Sequence, residues 1–250
     1  DRRSLRSVLR SIGRVDAVVF GGGSLLQDST SFRSLIYYLL IIVMARLRGR
    51  PVLLWGQGLG PLQRLLSRRL VRLVLPFCRS ASWRDQASMD RASRWAPRMP
   101  MKLAPDPVWG LPRQPWSGGL SIVVCWRPSP LLGLQGWSLL LNALSRLAED
   151  LDAPVRWLAF HRHQDGELLD WLTDQGVVPP GLRSRSTTVI PSSLDTVFAS
   201  VRKARLVIPM RLHALILARL AHCPMAALSY DPKVEAACLL YTSPSPRDIT

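Results

Sequence analysis

Short apolar runs alternate with helix-like stretches along most of this chain, and this alternation restricts the possible folds more than any other feature. Runs such as "VDAVVF" and "RPVLLW" are almost continuously apolar, which is typical of strands buried on both faces. The stretches between them, such as "SFRSLIYYLLIIVMARLRG", have the length and ending of helices. A strand–helix–strand order at this spacing predicts an α/β fold, with parallel sheets covered by helices.

The alternation is interrupted once, and the interruption predicts two domains. The segment "WGLPRQPWSGG" concentrates proline and glycine, and the strand–helix pattern restarts after it. We predict an amino-terminal Rossmann-like domain over 1–112, a linker over 113–119 and a carboxyl-terminal Rossmann-like domain over 120–237. Two such domains form a cleft where the carboxyl ends of their strands face each other, and such clefts bind ligands.

The last segment, 238–250, breaks the pattern. Its sequence, "CLLYTSPSPRDIT", resembles the translated adapter of a sequencing library up to Asp248. We therefore expect a non-native tail here and exclude it from fold reasoning. A natural disordered tail is the alternative.

The net charge of +16 comes almost entirely from arginine, since lysine occurs only at 102, 203 and 233. Such a charge favours phosphates, anionic lipid headgroups or nucleic acid as ligands, and a genome rich in arginine codons would produce it as well. The chain has no five consecutive cations and no basic run interleaved with aromatic residues. Nucleic acid is therefore not an expected partner.

The cysteines and histidines do not predict a metal centre. Cys78, Cys125, Cys223 and Cys238 are widely spaced and form no CxxC pair, so reduced thiols in a cytosolic protein are the simpler interpretation. The loop "FHRHQD" is a weak metal candidate, because a His-x-His pair alone is not specific. The longest apolar run is too short to span a bilayer.

Two glycine-rich turns follow predicted strands. Gly21–Gly23 either brings backbone amides close to an anion or a sugar hydroxyl, or only provides a tight exit from the strand. Gly56–Gly60 has a G-x-G-x-G pattern followed by Pro61, which lacks the spacing of a dinucleotide fingerprint. We do not expect a nicotinamide or flavin cofactor.

Charged residues also occupy strand ends and helix starts. Arg84 either pairs locally with Asp85 or grips a ligand carboxylate or phosphate through two parallel hydrogen bonds. Asp106 precedes a proline and is either a turn residue or a site residue. Arg211 and His213 open a helix, where backbone amides and the helix dipole favour an anion. Because they are two residues apart, both reach one ligand only at an irregular first turn.

The order of these motifs resembles that of the polysaccharide pyruvyl transferases, bacterial enzymes that pyruvylate cell-surface glycans. The matching segments, between about residues 15 and 234, are "VVFGGGSLLQD", "GQGLGP", "SWRDQAS", Asp106-Pro107, "IVVCWRP", "MRLHALILA" and "SYDPKV". The family's glycine-rich first strand, with an Asn and a Gly-Asp pair, is missing, and the chain starts without methionine. The resemblance therefore implies a fragment at the amino end.

The resemblance implies a GT-B-like fold and transfer of a pyruvyl group from phosphoenolpyruvate to two hydroxyls of one sugar, with release of phosphate. It implies two sets of site residues. The catalytic set is Arg84, Arg211 and His213, and the substrate-binding set is Gly22, Gly23, Asp28, Asp106, Arg127 and Lys233. No metal or organic cofactor is expected.

The expected partners are phosphoenolpyruvate and a glycan acceptor, which a lipid could carry at a membrane surface. The expected location is the cytoplasm, with peripheral attachment to the inner membrane face as an open alternative. No oligomeric state is predicted. Two other functions stay open: a GT-B-type glycosyltransferase that uses a nucleotide sugar, and a non-catalytic binder of anionic glycan or lipid.

Overall fold

The chain forms two compact units, Asp1–Gly110 and Leu111–Thr250. The computed structural model describes residues 5–29, 31–129 and 131–228. Lys233 and the predicted tail at 238–250 lie outside these residues. Each unit contains a parallel sheet flanked by helices, so the α/β prediction is confirmed.

The first unit contains five parallel strands within the described residues. Their order is β1-β3-β4-β5, and β2 continues along β3 after β1. The strands are β1 Val18–Phe20, β2 Gly23–Leu26, β3 Val52–Leu59, β4 Ser80–Trp83 and β5 Met101–Leu103. The helices are α1 Leu5–Ile12, α2 Phe32–Leu47, α3 Leu65–Val74 and α4 Gln86–Trp95, and short 3₁₀ turns follow at Leu75–Phe77 and Pro107–Gly110.

The two faces of this first sheet are covered unequally. Along β3, Val52 and Leu54 are buried, whereas Trp55 is 59% exposed; in β1, Val19 is 52% exposed. A groove of about 590 Å³ lies on the open face and includes Val19 and Trp55 in its lining. The prediction of strands buried on both faces is therefore wrong here, because apolar runs alone do not reveal whether a second layer covers them.

The second unit contains four parallel strands in the part of the chain that the structure describes, in the order β8-β7-β6-β9. The strands are β6 Ser121–Cys125, β7 Val155–Leu158, β8 Ser186–Val189 and β9 Ala204–Pro209. The helices are α5 Leu134–Asp150, α6 Leu168–Asp174, α7 Pro180–Arg185, α8 Leu194–Arg202 and α9 Leu212–Leu220. Every residue of β6 is buried, as its apolar sequence predicts for a central strand.

The segment predicted as a linker is attached to the second unit. The indole Nε1 of Trp116 donates to the carbonyl of Ala204 at 2.7 Å, and the amide of Ser117 donates to that of Arg202 at 3.1 Å. A Cβ on Gly119 would lie 1.9 Å from the carbonyl oxygen of Lys203, so only glycine fits this approach. Most of this segment therefore runs against the end of α8 and the start of β9.

The segment "MAALSY", Met225–Tyr230, has the apolar sequence of a last strand and is described only up to residue 228. Met225 bridges Val207, and the amides of Ala226 and Leu228 donate to the carbonyls of Val207 and Pro209. This segment therefore runs beside β9 without forming a full strand in its described part. Residues 229 and 230 lie outside the described residues.

Parallel strands bring the loops that follow them to one edge of a sheet, the carboxyl edge. In the first unit, this edge collects the Gly21–Gly23 segment, Arg84 and Asp106, which follow β1, β4 and β5. In the second unit, it collects Arg127 and Arg211, which follow β6 and β9. No described helix is long and apolar enough to cross a bilayer.

Gly49 and Gly56 both have a positive φ, but only Gly56 packs against the turn after β5. The difference in stability between alanine variants at these two positions therefore measures how tightly β3 packs against that turn. Gly56 has a φ of +62°, and a Cβ there would lie 2.2 Å from Cδ of Pro107. Gly49 has a φ of +67°, but a Cβ there would meet no atom within 4 Å. We expect Gly49→Ala to lower the free energy of unfolding by about 1–2 kcal/mol, which is the cost of a left-handed alanine.

Gly56→Ala should cost about 1–3 kcal/mol more than Gly49→Ala, because the strand or Pro107 must move. Urea unfolding of both variants measures the difference. Equal losses in the two variants would show that the contact with Pro107 contributes nothing.

Candidate active site

A buried ion pair organises the carboxyl edge of the first unit. Nη1 of Arg84 donates to Oδ2 of Asp106 at 2.8 Å, and Nη2 donates to Oγ of Ser24 at 3.0 Å. The two charged side chains are only 8% and 4% exposed. Arg84 thus ties the ends of β4 and β5 to β2.

The local ion pair between Arg84 and Asp85, considered from the sequence, is not the one that forms. Asp85 instead precedes α4, and its carboxylate accepts hydrogen bonds from the amide and the hydroxyl of Ser88 at 2.7 and 2.9 Å. This is the role of a helix N-cap, which Asp fills well. The partner of Arg84 lies 22 residues away in the sequence, at the end of the neighbouring strand.

The motif glycines leave room for this cluster. A Cβ on Gly58 would lie 2.5 Å from Oγ of Ser24 and 3.3 Å from Nε of Arg84. A Cβ on Gly22 would lie 3.2 Å from Cδ of Pro107. Gly23 differs, because its φ of +131° requires glycine although the space around its Cβ position is open. Of the two predicted substrate-binding glycines, Gly22 therefore packs against the Asp106-Pro107 turn, and Gly23 serves the path of the backbone.

Gln57 holds the segment that contains these glycines, and the sequence analysis did not single it out. Its side chain is completely buried. Nε2 of Gln57 donates to the carbonyl of Gly21, and Oε1 accepts from the amide of Leu25 at 3.3 Å. A polar residue between two glycines inside a buried strand is the signal that could have identified it, because such a side chain must find partners.

Asp28, predicted to bind substrate, anchors a loop of the first unit. Its buried carboxylate accepts hydrogen bonds from the amides of Gln63 and Arg64 at 2.8 and 3.0 Å, just before α3. Burial by itself raises the pKa of Asp28, but the nearby Ser67 hydroxyl and these two amides lower it, and the lowering prevails. The carboxylate is thus held ionised for a contact within the unit.

A second arginine–aspartate pair organises the carboxyl edge of the second unit. Nη2 of Arg211 donates to Oδ1 of Asp165, whose side chain is almost fully buried. Oδ2 of Asp165 accepts from the amides of Phe160 and His161 at 3.0 and 2.9 Å. The pair therefore joins the loop after β7 to the turn after β9, across the end of β6.

Arg211 keeps one donor unused. Its Nε is buried and has no hydrogen-bond partner within the described residues. Arg211 also precedes α9, and no described side chain caps that end of the helix. The exposed part of the Arg211 guanidinium and the first amides of α9 form a cationic, donor-rich edge suited to an anion.

His213 and Arg127 lie at the same edge of the second sheet. His213 is the second residue of α9 and lies in its first turn, and Arg211 precedes the helix with an extended backbone. Arg127 follows β6 and the buried Trp126, whose indole donates to the carbonyl of Ile208 at 3.0 Å. Both His213 and Arg127 are half-buried.

The loop "FHRHQD", the weak metal candidate, does not place its histidines and its aspartate in one site. His161 and His163 are exposed, with ring centres 6.5 Å apart, whereas Asp165 is engaged with Arg211. Across residues 5–29, 31–129 and 131–228, no three His, Cys, Asp or Glu side chains form a group that could hold a metal ion.

Burial raises the pKa of the Cys125 thiol well above its usual range. The charge of Arg211 lowers this pKa and that of Asp165 raises it, but burial has the largest effect. A neutral Cys125 thiol is a poor nucleophile.

Removing one partner of the first pair tests whether it stabilises the fold. We expect Asp106→Ala to lower the free energy of unfolding by about 3–5 kcal/mol, because it leaves the Arg84 guanidinium buried without a counter-ion. Asp16→Ala is the control, since Asp16 is fully exposed and lies 3.9 Å from Arg50.

Chemical unfolding of both variants gives the comparison, and the double variant Asp106→Ala, Arg84→Met should regain part of the loss. The structural role of the pair is refuted if Asp106→Ala and Asp16→Ala unfold alike.

Comparison with solved structures identifies related folds. UDP-N-acetylglucosamine 2-epimerase from Rickettsia bellii is 11% identical, with a TM-score of 0.55 over 97% of this chain and 71% of that one. The Anabaena protein HepE, solved in complex with UDP and glucose, is 14% identical, with a TM-score of 0.51 over 89% of this chain. The chain spans 62% of the length of HepE. At these identities the likeness is one of fold alone, and it agrees with the predicted GT-B-like class.

Sequence comparison gives the family. No curated protein sequence matches the chain significantly. The family model described as polysaccharide pyruvyl transferase matches residues 1–232, which is nearly the whole sequence. The chain therefore belongs to the polysaccharide pyruvyl transferase family of enzymes.

Proposed function

We propose that this protein transfers the pyruvyl group of phosphoenolpyruvate to two hydroxyls of one sugar in a cell-surface polysaccharide. The observation that carries the proposal is the family match over residues 1–232. Cationic and donor-rich residues at the carboxyl edge of the second sheet support it, because the donor carries both a carboxylate and a phosphate. The reaction forms a cyclic pyruvate ketal and releases phosphate.

The second unit is the proposed binding site for the donor. Arg211 is held in place by Asp165 through Nη2, while its buried Nε has no partner in the described part of the chain. A guanidinium fixed in this way can bind a carboxylate or phosphate with little loss of side-chain freedom. Arg127 supplies a second cation at the same edge, and the first amides of α9 supply uncharged donors.

The proposed chemistry requires a proton at the methylene carbon of the donor. A general acid protonates that carbon, and the positive charge that develops at the adjacent carbon is attacked by the first sugar hydroxyl. The second hydroxyl then displaces phosphate, and each hydroxyl loses its proton to a base or to the leaving phosphate. We assign the acid–base role to His213, because an imidazole can both donate and accept a proton and because His213 lies in the first turn of α9, two residues after Arg211.

The first unit is the proposed site for the sugar acceptor. Its Gly21–Gly23 segment is held by Gln57 and, through Ser24, by Arg84. Backbone amides in such a segment can contact sugar hydroxyls. Arg84, Asp106 and Asp28 then act as positioning residues rather than direct ligand contacts, since their polar atoms are engaged inside the unit. Neither a metal nor an organic cofactor is part of this proposal.

A nucleotide-sugar donor is the second candidate, because the Anabaena relative in fold was solved with UDP and glucose. The two candidates differ in donor and in product. Phosphoenolpyruvate with an acceptor glycan should release phosphate, and UDP-glucose should neither bind nor react. Isothermal titration with each donor, together with a phosphate-release assay, decides between them. Binding of UDP-glucose without binding of phosphoenolpyruvate would favour a glycosyltransferase.

Replacing His213 tests the assigned acid–base role. We expect His213→Ala to reduce turnover by about 10²–10⁴-fold, because positioned general acids and bases contribute that much. The affinity for phosphoenolpyruvate should fall far less, since arginines and backbone amides hold the anion. His222→Asn is the matched control: His222 is exposed just beyond the other end of α9, and its φ of +54° suits asparagine.

Turnover and donor affinity are measured separately in both variants. If His213→Ala keeps its turnover at saturating donor and loses only affinity, His213 is a binding residue.

A further inference from the structure

The positive charge of this protein is concentrated in its first unit. Of the 33 Lys and Arg residues, 19 lie in residues 1–110, but only 6 of the 17 Asp and Glu residues do. That segment therefore carries +13 of the net +16. Between Asp28 and Asp85 the sequence has ten arginines and no acidic residue. A genome rich in arginine codons would not by itself produce this difference between the two units.

Helix α3, Leu65–Val74, lies in the middle of this acid-free stretch and presents an unusual solvent face. Its inner face is formed by Ser67, Val71 and Val74, which are buried. Its outer face consists of three leucines and three arginines. Leu65, Leu66 and Leu73 are 70%, 54% and 68% exposed, and Arg68, Arg69 and Arg72 are exposed beside them.

Helix α3 leads into a basic groove at the amino edge of the first sheet, the edge opposite to the motif residues. The short 3₁₀ turn after α3 ends at Phe77, which is exposed and lines a groove of about 910 Å³. None of the described residues that line this groove is acidic. Its cationic lining residues lie at the ends of helices and the starts of strands, and they are Arg46, Arg50, Arg79 and Arg98.

We propose that this surface, formed by the outer face of α3 and the arginine groove, docks the protein onto an anionic lipid bilayer. Leucines that a folded protein leaves in water gain free energy when they enter the boundary between headgroups and acyl chains. Arginines beside them bind anionic headgroups, each contributing about fivefold in affinity. Neither α3 nor the described lining of the groove includes an acidic side chain, although Asp16 lies 3.9 Å from the lining residue Arg50. The combination of exposed leucines with arginines matches both parts of such a membrane.

A free anion or a nucleic acid matches only half of these observations. Either would pair with the arginines, but neither would stabilise three solvent-exposed leucines on the same helix face. The leucines therefore distinguish a lipid surface from a soluble polyanion. The proposal does not depend on the identity of the sugar or of the pyruvyl donor.

Co-sedimentation with vesicles tests the proposal on the full chain without any substrate. Vesicles of phosphatidylglycerol and phosphatidylcholine in equal parts are compared with vesicles of phosphatidylcholine alone. The leucine variant is Leu66→Gln with Leu73→Gln, and the arginine variant is Arg69→Gln with Arg72→Gln. The matched control is Leu139→Gln with Arg146→Gln on helix α5 of the second unit, where both residues are also exposed.

We expect the wild-type chain to bind the anionic vesicles at least about 25-fold more tightly than the neutral ones. The leucine variant should lose about tenfold in vesicle affinity and the arginine variant about 25-fold. The control variant should bind like the wild type. All three variants should keep the melting temperature of the wild type within a few degrees, because only exposed side chains change.

Two results would overturn the proposal. The first is equal binding to both kinds of vesicle. The second is wild-type affinity in the leucine variant. If inorganic phosphate or duplex DNA then also displaces the protein from the anionic vesicles, the ligand is a soluble anion.

Discussion

The buried pair of Arg84 and Asp106 joins more of the first unit than any other polar contact that we describe. Through Ser24 it reaches β2, and through its own residues it connects the ends of β4 and β5. A charge that is withdrawn from water is tolerated only with a counter-ion and further hydrogen bonds, so each of these residues depends on the others. Gly22 and Gly58 then follow as consequences, because a Cβ at either position would press on a member of the cluster or on Pro107 next to it, whereas Gly23 is required by its φ of +131°.

In the second unit, a different arginine–aspartate pair connects the carboxyl ends of the strands. Asp165 and Arg211 connect the loops after β7 and β9, and the carboxylate also holds two backbone amides of its own loop. In both units, an arginine near the end of a strand is fixed by an aspartate from another strand end. The two pairs differ in how much of the arginine remains available to a ligand. Arg84 has both terminal nitrogens engaged and is nearly buried, whereas Arg211 is one-fifth exposed and its Nε has no partner among the described residues. This difference is why we assign the donor to the second unit.

The fold class and the motif positions could be predicted from the sequence, because apolar runs and glycine turns are local signals. The partner of Arg84 could not be predicted, because it depends on which strands are neighbours in the sheet. No local sequence pattern determines the order of the strands. The sequence left open a local pair with Asp85 or contact with a ligand, whereas in the structure Asp85 is the N-cap of α4. Trp55 and Val19 were missed for a related reason, because a run of apolar residues does not show which faces receive a covering layer. The role of Gln57 could not be predicted either, because its partners Gly21 and Leu25 lie more than 30 residues away in the sequence.

The close approach of β3 to the turn after β5 has a consequence for how this sequence can change over time. A side chain at position 56 would overlap the ring of Pro107, and one at position 58 would overlap the hydroxyl of Ser24. A chain that gains a larger residue at 56 or 58 is therefore destabilised less if the bulk at 107 or 24 has been lost first. The order of substitutions is constrained, and related sequences should show these two pairs of positions varying together rather than one at a time.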